Sequence, residues 1–437
     1  MDIATLDTPI AEGFAPWLLP AGCDKPISTN QGSLDLPFQR WFRFKEAFSP
    51  RFVAEAIAMS RVPVRRLCDP FGGSGTTALC AQFAGIFPAT LELNPFMADV
   101  IRSKLTSHDP ATVEAAVAWA VDRARGAKVD ARALLAGGPD TLVEPGRAGQ
   151  GRWVLDANVA SDLLGLREAI DGAPFDEAVR RLMKVVLGSR IVPFSNVVIN
   201  GKGRRYRGGW QGRVHPDGAV IDSFGKEMAE VVKDLRSCGS RRQPGFDFVE
   251  GDARARTADL ARSGRSDMAL FSPPYPNSFD YVDTLNLQLW VLGYLRSNDD
   301  NRSLRKSTLR SHVQIGREHP LPKGGSEILD RTLTELDAVR KQLWHPQIPE
   351  MVGGYFGDME SVLDQLREVV VPGGSIVIVS GDSRYAGVHV PVTEVLADLA
   401  ADLGYEVRER RTLREMRASP QQGGQHALPE TILHLGR

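Results

Sequence analysis

The chain has 437 residues, 42% of them hydrophobic, and its 53 lysines and arginines nearly balance its 54 aspartates and glutamates. The apolar content excludes global disorder, and the lack of any run of about 18 apolar residues argues against a membrane-spanning helix. The first residues lack the basic and apolar segments of an export signal, so a cytoplasmic protein is expected. A near-neutral chain cannot bind a polyanion by bulk charge, so any nucleic acid would be bound by local basic patches.

The predicted elements begin after an irregular N-terminal extension, residues 1–35. Apolar residues at helical spacing predict a first helix, with Ser49 as its N-cap. A strand from Val64 then enters the glycine-rich segment GGSG, and a helix, a second strand from Phe87 and a further helix follow. This alternation is typical of the opening of an open, parallel α/β sheet.

Residues 108–245 follow another pattern, with three amphipathic helices, no strands between them, and then a basic, glycine-rich loop. They are predicted to form a mostly helical insertion. The α/β pattern resumes at residue 246, with a second helical excursion over about 283–357. Residues 36–107 and 246–437 together predict an α/β fold, a Rossmann-like sheet of seven mostly parallel strands with helices on both faces.

The segment DPFGGSGTT, residues 69–77, lies between the first strand and the following helix. Glycines let a ligand approach the backbone and a helix N-terminus favours a negative group, although a plain structural turn explains the glycines equally well. Glu92 ends the second strand, about 20 residues later, where a carboxylate can accept hydrogen bonds from ribose hydroxyls. Asp252 closes the third strand, where it can accept a hydrogen bond from an adenine amine. The ordered trio predicts an adenosine-binding crevice at the carboxyl ends of the strands.

A second motif, Ser272-Pro273-Pro274-Tyr275, directly follows the fourth strand. The two prolines stiffen this turn, so a backbone carbonyl and a serine hydroxyl project rigidly from the sheet edge beside an aromatic ring. The alternative is a proline pair that merely ends a strand. Because the turn lies where a parallel sheet opens, the combination favours a site for a planar ligand with an amino group, on which Tyr275 stacks.

In this order, DPFGGSGTT, ELNP, EGDA and SPPY resemble the motifs of the DNA amino-methyltransferases that use S-adenosylmethionine. The resemblance covers about residues 39–105 and 246–437. The SPPY form is similar to the cytosine-N4 branch, whereas adenine-N6 enzymes more often carry Asp or Asn at its first position. Family members with this glycine motif usually place SPPY earlier in the chain, so the order here differs. The resemblance implies methyl transfer to the N4 amine of a flipped cytosine in double-stranded DNA.

The resemblance also implies the site residues and the domain roles. Residues 36–107 and 246–437 become the catalytic domain, and residues 108–245 the candidate target-recognition region. The amine hydrogens would be accepted by the hydroxyl of Ser272 and the carbonyl of Pro273. The expected catalytic residues are Ser272, Pro273, Pro274 and Tyr275, and the expected cofactor-binding residues are Lys45, Phe48, Asp69, Phe71, Gly73, Ser74, Gly75, Glu92, Asn94 and Asp252.

Nucleic-acid contacts are expected from the basic segment 202–213, where arginines would contact phosphates and an aromatic ring would stack near the flipped base. The alternative is a solvated basic loop. A weaker basic segment spans residues 302–310. Asn277, Asp280 and Tyr281 either shape the base pocket or serve as turn residues and a helix N-cap. The expected DNA-binding residues are Lys202, Arg204, Arg205, Tyr206, Arg207 and Trp210.

Other chemistries find less support in the sequence. The four cysteines form no CxxC pair, and none follows a proline, which argues against a disulfide scaffold and a carbon-5 cytosine methylase. The histidines show no metal-binding spacing. The alternatives to cytosine-N4 methylation are adenine-N6 methylation, RNA methylation, and a non-catalytic regulator that keeps the nucleoside crevice. The expected partners are double-stranded DNA and a separately encoded restriction endonuclease.

Overall fold

The computed structural model describes residues 33–47, 49–127, 129–143, 151–200, 203–239, 241, 243–417 and 427–437. Most of its strands belong to one central sheet of seven. The strands are β1 (Arg66–Asp69), β2 (Phe87–Glu92), β3 (Val197–Asn200), β4 (Gly203–Tyr206), β5 (Asp247–Glu250), β6 (Ser266–Phe271), β7 (Val370–Gly381), β8 (Ser383–Tyr385), β9 (Val388–Val390), β10 (Glu406–Arg417) and β11 (Ala427–Gly436).

The central sheet has the order β10-β11-β7-β6-β1-β2-β5. Neighbouring strands from β5 through β7 are parallel, whereas β11 runs antiparallel to both β7 and β10. The predicted Rossmann-like sheet of seven mostly parallel strands is therefore confirmed. Two small antiparallel hairpins, β3–β4 and β8–β9, lie outside this sheet.

The helices account for most of the remaining regular structure. Ser49 caps the first of them, and its side chain accepts a hydrogen bond from the N–H of Phe52. The helices are α1 (Pro50–Ala58), α2 (Thr76–Phe83), α3 (Pro95–Leu105), α4 (Pro110–Arg125), α5 (Ala131–Leu134), α6 (Ala157–Asp171), α7 (Glu177–Phe194), α8 (Ala219–Ser237), α9 (Ala253–Arg256), α10 (Tyr281–Thr284), α11 (Asn286–Val291), α12 (Asn298–Lys306), α13 (Glu327–Ala338), α14 (Ile348–Val369) and α15 (Val392–Asp402).

Both faces of the sheet are buried, which explains why its inner strands are apolar without alternation. Along β6, Met268 and Leu270 belong to the hydrophobic cluster on one face, and Ala269 and Phe271 to the cluster on the other. The first cluster contains α1, α2 and α3, and the second contains α14 and α15. The sheet therefore forms the middle layer of three.

The predicted helical insertion, residues 108–245, contains α4 to α8 and shares a hydrophobic cluster with α2 and α3. Close packing of α7 on α3 leaves no room for a side chain at Gly188, where a Cβ would lie 2.6 Å from the ring of Phe96. The basic segment, predicted as a loop, instead forms part of the β3–β4 hairpin. The β-branched run Val197-Val198-Ile199 favours this hairpin, because such residues suit a pleated strand.

Some sequence-based expectations concern residues whose structure is not described. Phe48, Lys202 and most of the N-terminal extension, residues 1–35, lie outside the described ranges. Within those ranges, none of the helices combines the length and the apolar character needed to cross a membrane.

Candidate active site

The carboxyl ends of five parallel strands meet at one edge of the sheet. Asp69 ends β1, Glu92 ends β2 and Gly381 ends β7, while Ser272 directly follows β6 and Asp252 lies two residues after β5. Ligands of open α/β sheets bind in the crevice outside the carboxyl ends of the strands. This topology brings together residues that are separated by up to 312 positions in the sequence.

A cavity of about 460 Å³ opens at this edge, within the range of small-molecule sites. It is lined both by the glycine loop at Gly73 and by the whole Ser272–Tyr275 turn. Its wall also contains residues from the segment before α1, from α10, and from β10 and β11. Of the expected site residues, those in its lining are Lys45, Asp69, Phe71, Gly73, Ser74, Glu92, Asn94, Asp252, Ser272, Pro273, Pro274 and Tyr275.

The glycine loop holds its shape through local hydrogen bonds. Gly73 and Gly75 have positive φ angles of 52° and 78°, a conformation that side chains rarely allow. The N–H of Gly75 donates to the carbonyl of Gly72, and Gly75 then caps α2 without lining the cavity. A Cβ at Gly72 would lie 2.5 Å from Oγ1 of Thr90, so the loop lies directly on β2.

Glu92 joins the glycine loop to the next helix. One carboxylate oxygen accepts a hydrogen bond from the N–H of Gly73 at 2.8 Å, and the other accepts one from the N–H of Asn94 at 2.7 Å. Burial raises the pKa of Glu92 to about 7, against these donors, which lower it. Each oxygen keeps a further lone pair, so the carboxylate can still accept hydrogen bonds from ligand hydroxyls.

Asp69 is a second buried acid at this edge. This residue is 3% exposed, and its side chain accepts a hydrogen bond from the N–H of Phe71 at 2.8 Å. Burial, with a smaller contribution from the negative charge of Glu92, raises the pKa of Asp69 to about 7. The ring of Phe71 packs against Phe271, with the ring centres 5.6 Å apart, and forms an apolar wall of the cavity.

Two expected cofactor-binding residues are also helix caps. The side chain of Asn94 accepts hydrogen bonds from the first N–H groups of α3, and Asp252 accepts one from the N–H of Arg254. Asp252 also forms an ion pair with the guanidinium of Arg254 at 2.6 Å. Both side chains therefore meet the cavity in fixed orientations.

The sequence analysis missed Lys104, which is fully buried beneath the glycine loop. Its ammonium group donates to the carbonyl of Ser74 at 2.7 Å and to the side chain of Gln39 at 3.2 Å. The amide of Gln39 donates in turn to the hydroxyl of Thr76. Burial lowers the pKa of Lys104 to about 7. A lysine on the apolar side of α3, one turn after Val100 and Ile101, was the sequence signal that marked this residue.

Beside the proline turn, three further residues missed by the sequence analysis line the cavity: Arg414, Met416 and Glu430. The hydroxyl of Tyr275 donates a hydrogen bond to Glu430 at 3.1 Å and accepts one from Ser272 at 3.3 Å. Burial raises the pKa of Tyr275 well above its usual value, and the charge of Glu430 adds to this effect. The sequence of β10 and β11, the two terminal strands that supply these residues, contains no motif that indicates a functional site.

The residues that flank the proline turn divide between the two roles considered for them. Asn277 and Tyr281 line the cavity, whereas Asp280 caps α10 by accepting hydrogen bonds from the N–H groups of Val282 and Asp283. Asp280 also forms an ion pair with Arg305 at 2.5 Å.

Of the expected DNA-binding residues, those that the structure describes lie outside the cavity lining: Arg204, Arg205, Tyr206, Arg207 and Trp210. Arg204 and Arg205 are exposed on β4, whereas Arg207 donates to the backbone carbonyls of Ser195 and Val192. The hairpin contacts α10, which also borders the cavity. Trp210 is only 9% exposed, and its ring packs against Trp153 and Tyr206 with centroid distances of 4.7 and 5.0 Å. Its ring therefore supports the hairpin from the interior.

In the described part of the chain, no group of three or more His, Cys, Asp or Glu side chains is placed to hold a metal ion. The cavity instead offers carboxylates, backbone groups, apolar walls and the N-terminus of α2. Such a donor set suits a nucleoside that carries hydroxyls, a planar base and a charged amino-acid group.

Comparison with known proteins reveals distant relatives along most of the chain. Type II methyltransferase M.AvaI of Nostoc sp. is 25% identical over 449 aligned residues, which cover 92% of this chain and 86% of the relative. M.AvaI of Anabaena variabilis gives the same values. Type II methyltransferase M.BsoBI of Geobacillus stearothermophilus is 22% identical over 452 aligned residues, with the same coverage. No model of a known protein family matches the chain.

Proposed function

We propose that this protein is an S-adenosylmethionine-dependent DNA methyltransferase that modifies the exocyclic N4 amine of a flipped cytosine. The observation that carries the proposal is the single cavity lined by both the glycine loop and the Ser272–Tyr275 turn. Similarity to Type II methyltransferases over 92% of the chain supports methyl transfer to DNA. The serine at the first position of SPPY supports cytosine as the target.

The cavity suits S-adenosylmethionine, which supplies an electrophilic methyl group when it is bound. Glu92 keeps lone pairs for the ribose hydroxyls, and Asp252 would accept a hydrogen bond from the adenine amine. Phe71 and Leu309 provide apolar walls for the purine ring. Lys45 and the N-terminus of α2 would hold the amino-acid carboxylate, because both favour a negative group.

At the base, the protein's task is to position a weakly nucleophilic amine. The hydroxyl of Ser272 and the carbonyl of Pro273 would accept hydrogen bonds from the two N–H groups of this amine, which would free the lone pair of its nitrogen. Positioning of this kind can contribute about 7–11 kcal/mol to a bimolecular reaction. Extrusion of the base costs a few kcal/mol, which stacking on Tyr275 would offset.

DNA contact is proposed for the β3–β4 hairpin, with Arg204 and Arg205 on phosphates. Both side chains are exposed, and the hairpin lies against α10 at the edge of the cavity. A Cβ at Gly203 would lie 3.7 Å from the carboxylate of Asp283, which documents this proximity. We also propose a separately encoded restriction endonuclease as partner, on the strength of the Type II relatives.

The decisive experiment is incubation with tritiated S-adenosylmethionine and plasmid DNA, followed by digestion and nucleoside chromatography. We expect label in N4-methylcytosine. Label in N6-methyladenine would contradict the cytosine assignment, label in transcripts alone would indicate an RNA substrate, and no label in either nucleic acid would indicate a non-catalytic protein.

The Ser272→Ala variant tests the role assigned to the proline turn. Loss of one hydrogen bond to the reacting amine should lower the single-turnover rate by about tenfold or more. Calorimetric affinity for S-adenosylmethionine should stay unchanged, since Ser272 contacts the base and not the cofactor. Ser263→Ala, at an exposed position outside the cavity lining, is the matched control. A Ser272→Ala enzyme as fast as the wild type would contradict the assignment.

A further inference from the structure

A row of residues crosses three neighbouring strands beneath the proline turn. In the strand registers, Arg414 on β10 lies opposite Glu430 on β11, and Glu430 lies opposite Gly381 on β7. Opposite-charge pairs in such cross-strand positions stabilise a sheet. Here the guanidinium of Arg414 donates to both carboxylate oxygens of Glu430, at 2.6 and 3.2 Å.

Gly381 leaves the space that Tyr275 occupies. A Cβ at Gly381 would lie 2.9 Å from the ring of Tyr275, closer than real side-chain contacts allow. The missing side chain lets the ring lie directly on β7, which brings its hydroxyl within 3.1 Å of Glu430. Glu430 itself is 4% exposed, so its hydrogen bonds form away from bulk water. The row therefore fixes both the ring and the hydroxyl of Tyr275.

The direction of this hydrogen-bond chain follows from its proton count. An ionised carboxylate only accepts hydrogen bonds, so the hydroxyl of Tyr275 must donate its one hydrogen bond to Glu430. The oxygen of Tyr275 is then an acceptor for the hydroxyl of Ser272 at 3.3 Å. Because the hydroxyl of Ser272 donates its one hydrogen bond to Tyr275, only the lone pairs of its oxygen face the cavity.

We propose that Glu430, held by Arg414, is a positioning residue that makes Ser272 a hydrogen-bond acceptor for the target amine, an inference that rests on the proposed function. Without the carboxylate, the hydroxyl of Ser272 can rotate and point its proton at the amine hydrogens. The hydrogen-bond chain from Glu430 to Ser272 thereby favours a substrate group that donates hydrogen bonds over one that accepts them. Exocyclic amines donate in this way, whereas carbonyl oxygens and ring nitrogens that carry no hydrogen accept.

Glu430→Gln tests the direction of the chain. A glutamine would turn its carbonyl oxygen to Arg414 and its amide protons to Tyr275, which reverses both hydrogen bonds. We expect the single-turnover methylation rate to fall by about tenfold or more, with little change in the affinities for DNA and S-adenosylmethionine. Glu415→Gln removes one negative charge from an exposed position on the neighbouring strand β10 and is the matched control.

Tyr275→Phe keeps the stacking ring but removes the link between Glu430 and Ser272. In this background, Glu430→Gln should change the rate by no more than about twofold, because the two residues act through one chain. Additive losses in the double variant, or a Glu430→Gln enzyme as fast as the wild type, would overturn the proposal.

A second measurement does not depend on activity. The chain has seven tyrosines, so ¹³Cζ labelling gives a small NMR spectrum in which Tyr275→Phe identifies one signal. Glu430→Gln should shift this signal and Glu415→Gln should not. An unmoved Tyr275 signal would reject the hydrogen-bond chain. A shifted signal in a protein that methylates no DNA would reject the proposed function alone.

Discussion

Replacing Glu92 by glutamine measures the cost of burying an acid at the end of β2. Burial raises the pKa of Glu92 from 4.5 to about 7. At about 1.4 kcal/mol per pH unit, ionising this group in the folded protein costs about 3 kcal/mol more than in the unfolded chain. Glutamine has no charge to bury, but the N–H of Gly73 or Asn94 loses its acceptor, which costs about 1–3 kcal/mol. Above pH 7 these two effects should nearly cancel.

The pH dependence gives this prediction its sign. Because folding raises the pKa of Glu92, its stabilising contribution is complete below pH 4.5 and is lost as the pH rises to about 7. The free energy of unfolding of Glu92→Gln should therefore lie about 1–3 kcal/mol below the wild type near pH 5 and approach or exceed it at pH 8. Urea unfolding at several pH values measures this difference, with Glu415→Gln as the control for one lost negative charge.

Cofactor affinity should respond in the opposite way. An ionised Glu92 accepts hydrogen bonds from ribose hydroxyls better than the protonated acid does, so ionisation from pH 6 to pH 8 should tighten S-adenosylmethionine binding by up to about tenfold. Glu92→Gln should bind more weakly at pH 8 and lack this component, while any titration of the ligand cancels in the comparison. A stability deficit that stays constant with pH, or equal calorimetric affinities at pH 8, would refute the reasoning.

Two further variants test the base site and the DNA contact. Gly381→Ala would place a Cβ 2.2 Å from Cε of Met416 and 2.9 Å from the ring of Tyr275. We expect this variant to lose about 1–3 kcal/mol of stability and to transfer methyl groups more slowly, with unchanged cofactor affinity. A transfer rate equal to that of the wild type would contradict the role of the Gly381–Tyr275 contact. Replacing Arg204 and Arg205 together by alanine should weaken DNA binding and reduce its logarithmic salt slope by roughly two, as measured by fluorescence anisotropy; an unchanged slope would remove the hairpin from the interface.

The sequence predicted the parallel strands β1, β2 and β6 well, because each is marked both by its apolar residues and by the residue type at its end. In β6, the run Met268–Phe271 is apolar at every position, which is typical of a strand buried on both faces, and the prolines that follow mark its end. The acids Asp69 and Glu92 end their strands in the same way. In parallel strands, ends that are far apart in sequence meet at one edge, so the chain order of the motifs was enough to predict their convergence.

Lys104 shows a limit of predicting the site from the sequence alone. Its place on the apolar side of α3 was the one sequence signal for burial. A lysine at the end of a helix is nevertheless ordinarily solvated, where it favours the negative end of the helix dipole, and this expectation outweighed the signal. Only packing shows that its ammonium group lies under the glycine loop, where it donates to the carbonyl of Ser74. The identity of that acceptor depends on the position of α3 relative to α2, which residue spacing does not encode.

Glu430 and Arg414 show a second limit, because their position depends on strand register. A shift of one residue between β10 and β11 would turn either side chain to the other face of the sheet, and then neither would meet Tyr275. The pairing has irregularities between Val407 and Glu409 and between Thr412 and Arg414, so alternation alone would assign faces wrongly along β10. The irregularity beside Arg414 re-aims that side chain toward Glu430. An antiparallel pair at the edge of an otherwise parallel sheet can thus supply a charged group to the site without any local motif.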